Sequence, residues 1–269
     1  MRDVAAVILA GGKAKRFGAG TVKNLLPIDG KPLIMRTVNQ LKEHNIRTTI
    51  LVRDPGPYIK AGVPRELLKT VASRWQTETV LVSRKYWGKD QTLFFFGDAW
   101  YSDRCIRLAI AGKRMFFCST AEIWTISLVK SFYARAETIC RSVISTLESN
   151  PSLPENLWSF YRVWNGQPFQ GALPNTPGLA FRVQGSVIMV LDATVDIDWP
   201  REYDALAAGL RGRQVKAPKR PAFCLGQEVV EFLKTGKWRC PITGKLYAGF
   251  KQCDPKACRD YLPQGNPKP

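Results

Sequence analysis

The chain has 269 residues, of which 45% are hydrophobic, so it can bury a substantial core and is not a disordered polymer. Forty Lys and Arg against 22 Asp and Glu leave a formal charge of +18, a surface that attracts phosphorylated ligands and polyanions. The single His, His44, argues against chemistry built on a catalytic imidazole or a His-rich metal site, and no apolar run is long enough for a membrane span.

In chain order, Val4 to Leu9 is a short Val- and Ile-rich run closed by Gly11 and Gly12, the pattern of a buried parallel strand. Lys31 to His44 places Leu33, Ile34, Val38 and Leu41 at helical spacing, with Pro32 in the first turn. Thr48 to Val52, Glu78 to Ser83 and Thr92 to Phe96 are the next expected strands. A helix is expected over Ser127 to Leu147, a late strand over Val187 to Leu191 and a late helix over Arg201 to Leu210. Alternating strands and helices imply a mostly parallel sheet covered on both faces, a three-layer α/β/α arrangement.

Near residue 212 the texture changes. GRQVKAPKRPAF is basic and Pro-containing like a linker, and Gly226 to Leu233 could form one helix. The expected division is a catalytic core, 1–215, and a basic appendage, 216–269, whose eleven Lys and Arg against four Asp and Glu add +7. The seven Cys are an odd number in a long chain without an export signal, which points to reduced thiols and a soluble, cytoplasmic protein. Cys224, Cys240, Cys253 and Cys258 could supply four thiolates to zinc, but Thr243 stands where a knuckle has its second Cys.

The strongest signal is VILAGGKAKRFG, residues 7–18, followed by KNLLPIDGKPLI, residues 23–34. A buried strand delivers the chain to its carboxyl end, where ligands bind in open parallel sheets. Gly11 and Gly12 there let backbone N–H groups approach a ligand. Arg16 and Lys23 add positive charge for a polyphosphate and are expected to be exposed in the free protein. Neither G-x-G-x-x-G nor a Walker loop occurs.

These residues resemble the opening of the nucleotidyltransferase superfamily, which includes sugar-1-phosphate nucleotidyltransferases and molybdenum-cofactor guanylyltransferases. The resemblance is near complete over Leu9–Gly18 and Lys23–Leu33. It implies the nucleotide-diphospho-sugar transferase fold, a Rossmann-like three-layer sheet. It also implies that Leu9, Ala10, Gly11, Gly12, Arg16 and Lys23 hold the nucleotide and its phosphates. Nucleotidyl transfer needs Mg²⁺, held by carboxylates at strand ends. GDAWYSD, residues 97–103, resembles the element whose Asp is a metal ligand, giving Asp98 that role, with Asp103 a weaker candidate. VDIDWPREYDAL, residues 195–206, resembles the second acidic element, giving Asp198 as second ligand and Asp196 as its runner-up. Trp199 and Arg201-Glu202 depart from that element, and both carboxylates could instead cap the helix that opens near Pro200.

Residues 104–184, which select the acceptor in this superfamily, carry no motif to align. Glu122, Lys130, Tyr161 and Arg162 are candidate acceptor contacts. The cluster Trp158, Phe160, Tyr161 and Trp164 is either core or a surface on which a base could stack. The expected activity is transfer of NMP from an NTP to a phosphorylated acceptor, a sugar phosphate by resemblance, with release of pyrophosphate. Two alternatives stand beside it: a glycosyltransferase using a nucleotide-sugar, and a non-catalytic nucleic-acid-binding protein. The basic surface makes nucleic acid a candidate partner, and no membrane is expected.

Overall fold

The computed structural model describes residues 2–12, 17, 21–112, 115–118, 123–153, 157–166, 169, 187–189, 194–197, 200–211, 238–239 and 246–247. The chain divides into two units, Met1–Val215 and Lys216–Pro269. In the second, β12 (Trp238–Arg239) and β13 (Leu246–Tyr247) pair antiparallel, with Trp238 opposite Tyr247. The expected linker, the helix over Gly226 to Leu233 and the four candidate zinc cysteines lie outside the described residues.

The first unit opens with β1 (Val4–Leu9), the hairpin β2 (Pro27–Ile28) and β3 (Lys31–Pro32), α1 (Leu33–Glu43) and β4 (Arg47–Val52). It continues with α2 (Gly56–Lys60), β5 (Leu68–Thr70), α3 (Gln76–Val82), β6 (Gln91–Phe96), β7 (Ala99–Trp100) and α4 (Asp103–Ala111). Then come β8 (Phe116–Cys118), β9 (Ile123–Val129), α5 (Tyr133–Ser149), α6 (Leu157–Trp164), β10 (Val187–Met189), β11 (Val195–Asp196) and α7 (Pro200–Arg211).

Seven strands form one sheet in the order β10-β8-β9-β6-β1-β4-β5. Four neighbouring pairs are parallel, and β9 runs antiparallel to both β6 and β8. Period-two alternation splits the strand side chains between two cores. Val7, Leu9 and Phe94 pack with Val80 of α3, Val143 and Leu147 of α5 and Phe160 of α6. Ala6, Ile8, Leu93 and Phe95 pack with Ile34, Val38 and Leu41 of α1 and with Ile106 and Ala109 of α4. The result is the expected three-layer α/β/α architecture.

Three local expectations are corrected. Glu78 to Ser83 is helical: α3 begins after Trp75, and the Glu78 carboxylate reaches back to accept from the Arg74 backbone N–H at 2.6 Å. A short apolar run has no period that separates strand from helix, and here a helix terminus decides it. Ser127 to Val129 finishes β9, with Ser127 opposite Leu93, so the helix there starts only at Tyr133. Lys31-Pro32 pairs with Pro27-Ile28 as a hairpin, with Asp29 and Gly30 at positive φ in its turn, so α1 starts at Leu33.

Candidate functional site at the carboxyl edge of the sheet

Register brings three chain exits together. Leu9 of β1 stands opposite Leu51 of β4 and Phe96 of β6. The residues that follow, Ala10–Gly12, Arg53 and Gly97–Asp98, therefore share one edge of the sheet. Backbone bonds extend the pairing past the strands: Ala10 N–H to Leu51 O at 3.0 Å and Gly97 N–H to Leu9 O at 3.0 Å.

The glycine turn is pinned from below. The Ala10 carbonyl accepts from the Tyr58 hydroxyl at 2.8 Å and from Asn24 Nδ2 at 3.2 Å, while Asn24 Nδ2 also donates to Tyr58 Oη at 2.9 Å. Asn24 and Tyr58 are both buried, so three polar groups satisfy one another out of water. Burial pushes the Tyr58 phenol up to about 12, with the Asn24 bond opposing and the Asp98 charge adding to the rise. Sequence reading did not find these two residues, because their role exists only once the loop after β4 folds over the loop after β1.

Gly11 and Gly12 do not have the left-handed φ that only glycine tolerates, and among the described residues no neighbour forbids a side chain. Among the described residues, a Cβ on Gly11 would touch the Arg53 side chain at 3.6 Å, and one on Gly12 would meet nothing within 4 Å. Arg53, also missed by sequence reading, follows β4 beside Gly11 and donates to the carbonyl of Ser73 at 3.0 Å. Its only sequence signal was a cation immediately after a buried strand.

Lys23 departs from expectation. Its side chain is 11% exposed, and Nζ lies 2.7 Å from Asp98 Oδ2, whose own side chain is 27% exposed. The Phe17 ring lies 6.0 Å from the same ammonium. Lys23 is thus covered and charge-paired; it opens the short helical turn Lys23–Leu25.

The second acidic segment reaches the same place. β11 pairs antiparallel with β7, Asp196 opposite Ala99 and Val195 opposite Trp100, and Ile197 N–H donates to the Asp98 carbonyl at 3.1 Å. Ile197 is fully buried with Ile28, Leu33, Trp100 and Leu206, which ties this segment to α7 and to the β2–β3 hairpin. Tyr203 adds a bond from its hydroxyl to the Pro27 carbonyl at 2.6 Å. Arg16 and Asp198 lie outside the described residues, as does the side chain of Asp196.

Other candidates fall elsewhere. Asp103 opens α4, and its carboxylate accepts from Gln40 of α1 at 2.5 Å, so it joins two helices. Lys130 follows the end of β9, where its N–H donates to the Asp90 carbonyl at 2.8 Å, at the opposite edge of the sheet. Phe160 and Tyr161 are fully buried and Trp164 nearly so, which makes the aromatic cluster core. Arg162 is buried as well, and Glu122 lies outside the described residues. His44 ends α1, also at the far edge.

Comparison with known proteins agrees with this geometry. Residues 6–83 match the MobA-like NTP transferase domain. A 2-C-methyl-D-erythritol 4-phosphate cytidylyltransferase of Frankia casuarinae is 38% identical over 58 residues, a stretch that is 22% of this chain and 22% of that protein. The crystal structure of Rv0371c from Mycobacterium tuberculosis superposes with a TM-score of 0.51 at 14% identity, over 77% of this chain and 98% of that one. The 4-diphosphocytidyl-2C-methyl-D-erythritol synthase of Anaerococcus prevotii gives 0.50 at 9% identity, over 78% and 99%. At these identities the structural matches speak for the fold. Among the described residues no helix is long and apolar enough to cross a membrane.

Proposed function

We propose that this chain, a member of the NTP transferase superfamily by its residues 6–83 and its fold, is a Mg²⁺-dependent nucleotidyltransferase. It takes NMP from an NTP to a phosphorylated acceptor and releases pyrophosphate. The observation that carries this reading is the meeting of the glycine turn, the Lys23–Asp98 pair and the 196–197 backbone at one sheet edge.

The donor chemistry suits Mg²⁺, a hard cation that takes one or two carboxylates and otherwise keeps water and phosphate oxygens. Asp98 is the carboxylate in hand, and Asp196 and Asp198 flank Ile197, which is bonded to the Asp98 backbone. Bound there, the cation would neutralise charge developing on the phosphates.

The chain's own groups do the rest by positioning and electrostatics. The open backbone of Gly11 and Gly12 receives the nucleotide, with Arg53 supplying charge beside it. Lys23 and Arg16 stabilise the triphosphate and the departing pyrophosphate. An acceptor phosphate oxygen attacks the α-phosphorus in line, so no protein nucleophile or imidazole is needed. The match to a cytidylyltransferase acting on a methylerythritol phosphate supports a phosphorylated sugar or polyol as the acceptor class.

The test is to incubate the protein with each NTP, Mg²⁺ and a panel of sugar and polyol phosphates, and to measure pyrophosphate. Pyrophosphate that requires both Mg²⁺ and an acceptor supports the reading. Release of NDP from a nucleotide-sugar, with none from any NTP, would replace it with glycosyl transfer.

A further inference from the structure

We infer that Asn24 and Tyr58 are positioning residues, which aim the Gly11 N–H at an oxygen of the nucleotide by holding the other side of the same peptide. The inference rests on the transferase reading for the identity of the ligand. Its own basis is the direction of one carbonyl. The Ala10 C=O accepts from Tyr58 Oη at 2.8 Å and from Asn24 Nδ2 at 3.2 Å, and both donors are buried. In a planar trans peptide the C=O and the N–H that follows it point in opposite directions. Holding the Ala10 carbonyl against Asn24 and Tyr58 therefore turns the Gly11 N–H away from them.

The two side chains act as one unit. Asn24 Nδ2 carries two hydrogens: one goes to Ala10 and the other to Tyr58 Oη at 2.9 Å, while the Tyr58 hydroxyl gives its own hydrogen to Ala10. A buried set closed in this way cannot turn to another acceptor without breaking one of its bonds. The Ala10 N–H is held too, by the Leu51 carbonyl at 3.0 Å. Both polar groups of Ala10 are thus fixed, and the next N–H along the chain is that of Gly11. Gly97 leaves room for Asn24, since a Cβ there would lie 3.0 Å from Nδ2. Without the two donors the peptide plane is free to tilt, and the nucleotide must order it on binding.

The test measures binding of ATP, CTP, GTP and UTP by calorimetry, with Mg²⁺ and without acceptor, so that it does not depend on turnover. For whichever NTP the wild type binds, Tyr58→Phe, which keeps the buried ring, should raise Kd roughly tenfold, the loss of about one well-aimed hydrogen bond. Asn24→Leu should raise it by a similar factor. The double variant should bind about as weakly as either single one, because both act through one peptide. Ser83→Ala is the control: it removes the buried acceptor of Trp87 Nε1, at 2.8 Å, and belongs to no part of the site. It should lose stability and keep the wild-type Kd, since lost stability alone changes the folded fraction and not the affinity of the folded protein. An unchanged Kd in folded Tyr58→Phe, an equal rise in Ser83→Ala, or a double variant weakened by the product of the two factors overturns the inference. So does an absence of NTP binding by the wild type, which removes the transferase reading as well. If Kd rises as stated while the wild type releases no pyrophosphate with any acceptor, the positioning role stands and that reading falls. If pyrophosphate is released and Kd is unchanged in the variants, the reading stands alone.

Discussion

Ile197 donates its backbone N–H to the backbone carbonyl of Asp98 at 3.1 Å, joining the end of the central sheet to a segment almost a hundred residues further along the chain. Two acidic stretches that are unrelated in sequence position thereby become one place. Ile197 is also fully buried, so the segment is held by apolar packing as well as by the β7–β11 pairing.

The glycine turn separates a demand of the fold from a demand of the ligand. Among the described residues, Gly11→Ala and Gly12→Ala place a Cβ in ordinary contact or open space, so both variants should fold with stability within about 1 kcal/mol of the wild type. Their cost should appear as weaker NTP binding. Gly97→Ala is the contrast: its Cβ would lie 3.0 Å from Asn24 Nδ2 and 3.1 Å from the Ala10 Cβ. It should lose about 1–3 kcal/mol in chemical denaturation. Equal destabilisation at all three positions would mean that the turn is open for no ligand.

Arg53→Ala should raise KM for the NTP by roughly tenfold with a smaller change in kcat, the pattern of an interaction present before and during the reaction. The guanidinium lies beside Gly11 and is fixed by the Ser73 carbonyl. An unchanged KM in steady-state kinetics would restrict Arg53 to tethering the loop before α3.

Tyr58 sets a pH dependence whose sign follows from its raised pKa. The unfolded phenol titrates near its ordinary value of about 10, the folded one near about 12. Stability from keeping Tyr58 protonated is therefore complete below pH ~10 and lost as pH rises toward ~12. Tyr58→Phe loses the bonds to Ala10 and Asn24, which costs about 1–2 kcal/mol at neutral pH. The stability gap between variant and wild type should close across that alkaline window. A gap independent of pH in urea unfolding would contradict the buried network.

The charge of +18, with +7 in residues 216–269, predicts salt-sensitive binding to nucleic acid. Each phosphate neutralised on duplex DNA contributes a log–log slope near about −0.9. Removing 216–269 should weaken binding and flatten the slope. It should spare pyrophosphate release if the acceptor is small. No binding of the full chain to DNA or RNA at low salt would assign the charge to small anionic ligands or to solubility.

Much of the site was legible because its residues follow buried strands, where one motif fixes both the backbone and the charges. Gly11, Gly12, Lys23 and Asp98 fall at one sheet edge on that ground. Asn24, Tyr58 and Arg53 were not legible, since their contacts depend on how the loops after β1, β4 and β6 fold over one another. Lys23 was read as an exposed cation because nothing in KNLLP announces a carboxylate partner. Glu78 to Ser83 misled for a local reason: Thr77, Thr79 and Val80 bury one side of a short helix made of β-branched residues.

The central claim is that phosphoryl chemistry takes place at the α-phosphorus beside Asp98. It is tested most directly by supplying the NTP labelled on either its α- or its γ-phosphate, with Mg²⁺ and a phosphorylated acceptor, and separating the products. The account predicts α-label in the acceptor product and γ-label in pyrophosphate. It also predicts loss of both, by at least about a hundredfold, in Asp98→Asn that still unfolds cooperatively. Label from the γ-phosphate on the acceptor, or undiminished turnover in Asp98→Asn, would contradict it.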